Sequence, residues 1–156
     1  MKIAVFPGSF DPLTKGHESI IRRALPLFNQ IIIAIGFNTE KKYFFPQDKR
    51  ELFIQKTFAG ESRIKVRTYS GLTVNFCKEI GAQYILRGLR TSADFEFERA
   101  IAQMNHSMVT GIETIFILSE PSMSHIASSI VRDILHYNGD VSEFVPEAIR
   151  SELVSS

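Results

Sequence analysis

Short apolar segments of strand length alternate along this chain with longer segments whose apolar residues recur at helical spacing. The second short segment, residues 30–36 (QIIIAIG), is apolar throughout, which is typical of a strand covered on both faces. The predicted strands are residues 2–6, 30–36, 63–68, 83–86 and 113–118. Because strands that alternate with helices form parallel sheets with right-handed crossovers, the sequence predicts an α/β fold.

The helices expected between these strands begin and end at recognisable residues. The first begins near Leu13 or Thr14, and Pro26 stops or kinks it. The others are expected over 47–58, Thr73–Ile80 closed by Gly81, Thr91 or Ser92 to Met108, Ser128 or Ser129 to Gly139, and within Ser142–Val154. We expect a Rossmann-like, doubly wound, five-stranded parallel sheet with strand order 3-2-1-4-5 and helices on both faces.

The composition restricts the classes of function that this chain can have. Its 156 residues suit one domain, and a formal net charge of +1 favours a small ligand over nucleic acid as a partner. Cys77 is the only cysteine, and the absence of CxxC and HExxH spacings argues against a disulfide or a protein-bound metal. The chain opens into a strand and has no run of about 20 apolar residues, so we expect a cytoplasmic protein without a membrane partner.

The turn after the first strand, Pro7–His17 (PGSFDPLTKGH), has features of an anion site. A strand-to-helix turn lies at the carboxyl edge of a parallel sheet, where the new helix directs N–H groups at a ligand. Thr14 and His17 are three residues apart and share a helix face, so the imidazole can donate to a phosphoryl oxygen. Taken singly, Asp11 and Thr14 are better explained as helix caps and His17 as a surface residue, and only their combination in a strand-turn-helix segment favours the anion site.

The predicted strand order places the turn after strand 1 beside the turn after strand 4. We therefore expect Ser9 and His17 to face Arg87 and Arg90, whose guanidinium groups flank Gly88 and suit a polyphosphate. The alternative for these two arginines is a solvated surface pair. Ser128 and Ser129 are expected to contact phosphates or to cap their helix, and Lys41 and Lys42 lie in a loop at the edge of the same crevice.

The chain has no nucleophile with a neighbouring base. The single cysteine has no motif around it, and the serines have no triad-like arrangement. A phosphate acceptor is already ionised near neutral pH, so catalysis would consist of alignment and charge stabilisation. We expect Mg²⁺ to arrive with the nucleotide and no metal site on the protein. His106 and His136 are expected to be packing or surface residues, and His125 remains ambiguous.

The segment Thr14-Lys15-Gly16-His17, preceded by GSFDP, resembles the T/HxGH motif of the nucleotidyltransferase superfamily. Together with Arg87-Gly88-Leu89-Arg90, the following ADFEFE, and IASSIVR at 126–132, it resembles the bacterial phosphopantetheine adenylyltransferases over nearly the whole chain. The resemblance implies a single nucleotidyltransferase domain over residues 1–156. It also implies transfer of the adenylyl group of ATP to 4′-phosphopantetheine, giving dephospho-coenzyme A and pyrophosphate, with Mg²⁺, in a cytoplasmic homohexamer inhibited by coenzyme A.

The resemblance also implies roles for individual residues. His17 would stabilise the transition state, and Ser9, Lys41, Thr73 and Arg87 would bind the pantetheine substrate. The ATP site would comprise Ser9, Phe10, His17, Gly88, Leu89, Arg90, Glu98, Met123, Ser124, His125, Ile126, Ala127, Ser128 and Ser129. Ser9, Met123 and Ala127 depart from the residues common in the family. The alternatives are a related nucleotidyltransferase with a different phosphate acceptor, or a nucleotide-sensing module without catalysis.

Overall fold

The computed structural model describes residues 1–153, which form an α/β fold around one parallel sheet. The strands are β1 (Ile3–Gly8), β2 (Gln30–Gly36), β3 (Ile64–Tyr69), β4 (Tyr84–Leu89) and β5 (Glu113–Leu118), and the helices are α1 (Lys15–Ala24), α2 (Gln47–Thr57), α3 (Thr73–Ile80), α4 (Ser92–Met108), α5 (Ser128–His136) and α6 (Arg150–Leu153). Short 3₁₀ turns cover Leu25–Leu27, Pro121–Met123 and Glu147–Ile149. The strand order is β3-β2-β1-β4-β5, which confirms the predicted order and class.

Helices cover both faces of the sheet. Neighbouring residues of a strand point to opposite faces, so Phe6 packs with Ile21 of α1 in one core, while Val5 packs with Val74 and Cys77 of α3 in another. A third apolar cluster joins α2, α5 and the carboxyl-terminal turns. Cys77 is fully buried, and desolvation raises the pKa of its thiol to about 11, so this side chain serves in packing.

The structure departs from the predicted boundaries at three places. The first strand was expected to end at Phe6, but β1 continues to Gly8 because Pro7 and Gly8 pair with β2. The fourth strand was expected to end at Leu86 with a turn after it, but β4 continues to Leu89 because Arg87 and Leu89 pair with Phe116 and Leu118 of β5. The last helical segment is reduced to Glu147–Ile149 and Arg150–Leu153, after an extended Pro146. Val154, the predicted end of that segment, lies outside the described residues.

The two central strands separate towards their carboxyl ends. β1 pairs with β4 at Ala4 and Val5, whereas it pairs with β2 as far as Gly8. The last residues of β1 and β4 are therefore not joined to each other, and a crevice opens between them where the strand order reverses. No helix within residues 1–153 is long and apolar enough to span a membrane.

Candidate active site

A cavity of about 380 Å³ occupies the crevice between the ends of β1 and β4. It is bordered by the turn after β1, the start of α1, the end of β4 and the start of α5. The residues of the predicted site that line it are Ser9, Phe10, His17, Arg87, Gly88, Arg90, Glu98, Ile126, Ala127, Ser128 and Ser129. Ser9 and His17 therefore lie at the same cavity as Arg87 and Arg90, which confirms their predicted positions.

Other residues of the predicted site lie outside this cavity. Leu89 is buried in the strand, and Met123 and His125 line a separate depression beside Lys15 and Phe144. The hydroxyl of Ser124 donates to the carbonyl oxygen of Pro121 at 3.0 Å, which ties it to the 3₁₀ turn. A role of residues 123–125 in nucleotide binding therefore stays a prediction.

His17 is held by a capping box at the start of α1. Thr14 is the N-cap residue, and its Oγ1 accepts a hydrogen bond from the His17 backbone N–H at 3.3 Å. In return, the backbone N–H of Thr14 donates to His17 Nδ1 at 3.0 Å. Glutamate or glutamine usually makes this reciprocal bond. Because Nδ1 accepts, the neutral imidazole carries its proton on Nε2, which becomes the donor available to a ligand.

The surroundings of His17 keep its imidazole neutral. Burial, with the nearby charges of Arg87 and Arg90, lowers the pKa of His17 from 6.5 to about 4. The ring also packs edge to face against Phe10, with ring centroids 5.1 Å apart. The side chain is thus a fixed hydrogen-bond donor without a net charge near neutral pH, which suits an oxygen that gains negative charge.

The turn after β1 has a strained backbone where it meets the imidazole. Phe10 is a non-glycine residue with φ of 48°, in the left-handed region. Its buried ring lies so close to Gly8 that a Cβ atom there would be 3.1 Å from the ring. Gly16 lies within the first turn of α1.

The first turn of α1 does not present all its N–H groups to the cavity. The N–H of Lys15 donates to the carbonyl oxygen of Phe144 at 2.9 Å, and the N–H of His17 donates to Thr14. The expectation of an anion site at this helix end is therefore only partly supported, because two of its early donors are already bonded within the protein.

Arg87 is held rigidly rather than solvated. Its Nη2 and Nε donate to the two carboxylate oxygens of Glu98 at 2.6 and 3.0 Å, and its Nη1 donates to the carbonyl oxygen of Pro7 at 2.8 Å. A guanidinium group has five N–H bonds, so two remain for a ligand. Arg90 is held more loosely, with Nε 3.6 Å from a carboxylate oxygen of Asp94.

The start of α5 presents a second set of donors. Ala127 occupies the N-cap position, so the alternative that Ser128 or Ser129 caps this helix is wrong. The hydroxyl of Ser128 donates to the carbonyl oxygen of Pro12 at 2.9 Å, which fixes the helix end against the turn after β1. The first N–H groups of a helix have no partner within it, and here they border the cavity.

Arg132 is a lining residue that was not predicted. Its Nη1 donates to the carbonyl oxygen of Asp11 at 2.9 Å, and its side chain borders the main cavity. The available signal was its spacing, because Arg132 follows Ser128 by four residues and therefore shares its helix face. The cavity thus has three arginines, at positions 87, 90 and 132.

Two further depressions adjoin the main cavity. One, of about 240 Å³, is lined by Tyr69, Thr73, Ile85, Ile101, Ala102, Asn105 and Thr114, and shares Pro7, Gly8, Arg87 and Glu98 with the main cavity. The other contains Asn38, Lys41 and Tyr43 and shares Gly8 and Ser9. Lys41 thus borders the site from one side, while Lys42 is exposed nearby.

The carboxylates of the main cavity are already paired with arginines. Glu98 binds Arg87, and Asp94 lies beside Arg90. Within residues 1–153, no group of three or more His, Cys, Asp or Glu side chains is arranged to hold a metal ion. The donor set therefore does not fit a resident metal, whereas the arginines fit the phosphates of a nucleotide.

Comparison with known proteins identifies relatives over the whole length of the chain. Residues 5–134 match the sequence profile of the Cytidylyltransferase-like family. The phosphopantetheine adenylyltransferase of Flavobacterium psychrophilum is 57% identical over 150 residues, covering 96% of this chain and 99% of the relative. That of Christiangramia forsetii is 53% identical and covers 97% of this chain and 100% of the relative.

Solved structures with low sequence identity share the fold. A Vibrio parahaemolyticus protein with the provisional name nicotinate-nucleotide adenylyltransferase aligns with a TM-score of 0.72 and 21% identity, over 99% of this chain and 100% of that one. A bifunctional NMN adenylyltransferase/ADP ribose pyrophosphatase from Francisella tularensis aligns with a TM-score of 0.68 and 18% identity, over 92% of this chain and 44% of that one.

Proposed function

Since the chain belongs to the phosphopantetheine adenylyltransferase family of cytidylyltransferase-like proteins, we propose that it transfers the adenylyl group of ATP to 4′-phosphopantetheine. The products are dephospho-coenzyme A and pyrophosphate, so the reaction belongs to coenzyme A synthesis. The observation that carries this proposal is the junction of two cavities at Arg87, one rich in anion donors and the other largely apolar.

The two cavities suit the two substrates. We assign the nucleotide to the main cavity, where Arg90, Arg132 and the first N–H groups of α5 favour a triphosphate. The neighbouring cavity combines apolar walls with polar side chains that include Thr73, Asn105 and Thr114, which suits the amide-containing arm of phosphopantetheine. The acceptor phosphate would then lie at the junction, within reach of the remaining N–H groups of Arg87.

The proposed step is an in-line displacement at the α-phosphorus of ATP. An oxygen of the acceptor phosphate forms a bond to this phosphorus, and the bond from the phosphorus to the bridging oxygen of pyrophosphate breaks. The acceptor is already ionised, so neither a general base nor a covalent intermediate is needed. His17 Nε2–H would donate to an oxygen of the α-phosphate as charge develops there.

The remaining side chains would align the acceptor. Ser9 and Arg87 line the main cavity, and Lys41 lines the depression that adjoins it at Gly8 and Ser9, so the three side chains would hold the attacking phosphate in one orientation. We assign Mg²⁺ to the phosphates of ATP, as part of the substrate, because the carboxylates of the cavity are bound to arginines.

We also propose a cytoplasmic homohexamer that is inhibited by coenzyme A, as the resemblance implies. Coenzyme A contains both an adenine nucleotide and a pantetheine arm, so it would compete for both cavities. Contact between copies is supported by the apolar residues that α4 exposes, among them Phe97 and Met104.

The experiment that tests the function is a pyrophosphate-release assay with ATP, Mg²⁺ and a panel of acceptors. We expect release with 4′-phosphopantetheine and little with nicotinate mononucleotide or a sugar phosphate. Release with another acceptor alone would assign the chain to a related transferase. ATP binding without release from any acceptor would support a sensing module instead.

A further inference from the structure

Arg50 is a buried cation with no carboxylate partner in the part of the chain that the structure describes. It lies on α2 with only 1% of its surface exposed, and among residues 1–153 no carboxylate oxygen lies within 4.0 Å of its guanidinium group. Burying a charge is costly unless other groups replace the lost water. Here the replacement consists of two backbone carbonyl groups and one aromatic face.

The contacts of Arg50 join two segments of the site. Its Nη1 donates to the carbonyl oxygen of Ser9 at 2.8 Å, in the turn after β1. Its Nε donates to the carbonyl oxygen of Phe45 at 3.1 Å, in the loop after β2. Its Cζ lies 4.0 Å from the ring centroid of Tyr43 in that same loop.

Asp11 joins the same two segments by accepting hydrogen bonds, whereas Arg50 joins them by donating. It is 3% exposed, and its two carboxylate oxygens accept the backbone N–H groups of Phe44 at 2.7 Å and Phe45 at 2.8 Å. Asp11 does not cap α1, which was one structural explanation of this residue. Two hydrogen bonds of Asp11 therefore join residues 9–11 directly to residues 43–45, and Arg50 bridges the same segments through two more hydrogen bonds and one aromatic contact.

The connected segments carry two of the proposed acceptor-binding groups. Ser9 belongs to the first segment, and Lys41 lies two residues before the start of the second. The Nζ of Lys41 lies 5.5 Å from the centroid of the Tyr43 ring, so this ring contacts the cations of both Lys41 and Arg50. Any shift of the 43–45 segment would thus move Lys41 relative to Ser9.

We propose that Arg50 is a positioning residue that, with Asp11, fixes the position of Lys41 relative to Ser9 around the acceptor phosphate. This rests on the proposed function, because it assigns both groups to the acceptor. Lysine cannot replace Arg50: a single ammonium lacks both the flat face that stacks on Tyr43 and the fork that reaches two carbonyl groups.

A double-mutant cycle with Lys41 tests this assignment. We expect Arg50→Lys to lower kcat/KM for phosphopantetheine about tenfold or more, with KM for ATP within about twofold of the wild type. In a Lys41→Ala background the same substitution should cost less than about threefold, because the group that it positions is already absent. Equal losses in both backgrounds would overturn the proposal.

The same variants allow a measurement that does not depend on activity. Amide hydrogen exchange of residues 37–46 should be faster in Arg50→Lys, while exchange in β1 and β2 is unchanged. Unaltered exchange in the loop would overturn the proposal even if the protein used another acceptor. A wild-type protein that is inert with phosphopantetheine would instead reject the proposed function, and the exchange measurement would still decide the role of Arg50.

Two further variants separate positioning from general stability. Tyr43→Leu removes, at a half-buried position, the ring that contacts both Arg50 and Lys41. If Arg50→Lys does not fold, this variant should show the same smaller loss of kcat/KM in the Lys41→Ala background. Additive losses for this variant would also overturn the proposal. Arg22→Lys is the matched control, because Arg22 stacks 5.0 Å from the Phe58 ring and donates to the carbonyl oxygen of Thr57 away from the site. It should retain activity within about twofold.

Discussion

His17 combines a structural and a proposed catalytic role in one imidazole. Its Nδ1 accepts the N–H of the N-cap residue Thr14, which leaves the Nε2 proton for the cavity. The position of His17 on the same side as Thr14 was predictable from their spacing. The reciprocal bond was not, because histidine is uncommon in a capping box.

Replacing this imidazole should affect rate more than binding. We expect His17→Ala to lower kcat about 10²- to 10³-fold while the affinity for ATP changes only several-fold, since such a donor acts mainly on charge that develops during the reaction. Steady-state kinetics and calorimetric ATP titration measure the two effects. His136→Ala, on the surface beside Tyr137, should leave both unchanged. Equal losses in rate and binding would contradict the catalytic role.

The half-buried imidazole should also make stability depend on pH. The pKa of His17 is about 4 in the folded protein and 6.5 when unfolded, so the unfolded state binds the proton first as pH falls. Protonation of His17 does not affect the free energy of unfolding well above pH 6.5. As pH falls towards 4, it lowers this free energy by a growing amount, about 2 kcal/mol at pH 5. Urea unfolding should therefore show that the free energy of unfolding falls less between pH 7 and pH 5 in His17→Asn than in the wild type. Equal decreases of the unfolding free energy in the two proteins would contradict this role of His17.

At the scale of secondary structure, α4 stands apart from the other long helices. It has 17 residues, and none of them is buried in the single chain. Its exposed apolar residues Phe97, Ile101, Met104 and Met108 recur at spacings of four, three and four, so they form one stripe. Ile101 also lines the cavity that we assign to the pantetheine arm, so this stripe borders the site.

A charge within the stripe should weaken assembly. Phe97 and Met104 are 68% and 64% exposed, and a carboxylate at either position would have to be desolvated in a contact between copies. We expect Phe97→Glu and Met104→Glu to shift the sedimentation coefficient towards smaller species. Gln103→Glu, a charge added to the same helix outside the stripe, should not. An unchanged assembly in both stripe variants would place the interface elsewhere.

At the scale of the molecule, apolar periodicity was sufficient to predict the sheet. The five strands, their order and the meeting of the turns after β1 and β4 follow from local patterns and general rules of α/β folds. The links from Arg50 and Asp11 to residues 43–45 were not predicted, because hydrogen bonds between distant segments leave no periodic signal. For the same reason, the sequence did not indicate that residues 123 and 125 line a separate depression.

The capping box at the start of α1 also affects how this protein can be made more heat-resistant. Glutamate at position 17 could make the usual reciprocal bond to the N-cap backbone, and it would avoid the destabilisation that imidazole protonation brings below pH 6.5. A library selected only for survival at high temperature would therefore enrich His17→Glu. The chains recovered would be robust and, on the proposed mechanism, nearly inert, so stability and turnover compete for one side chain.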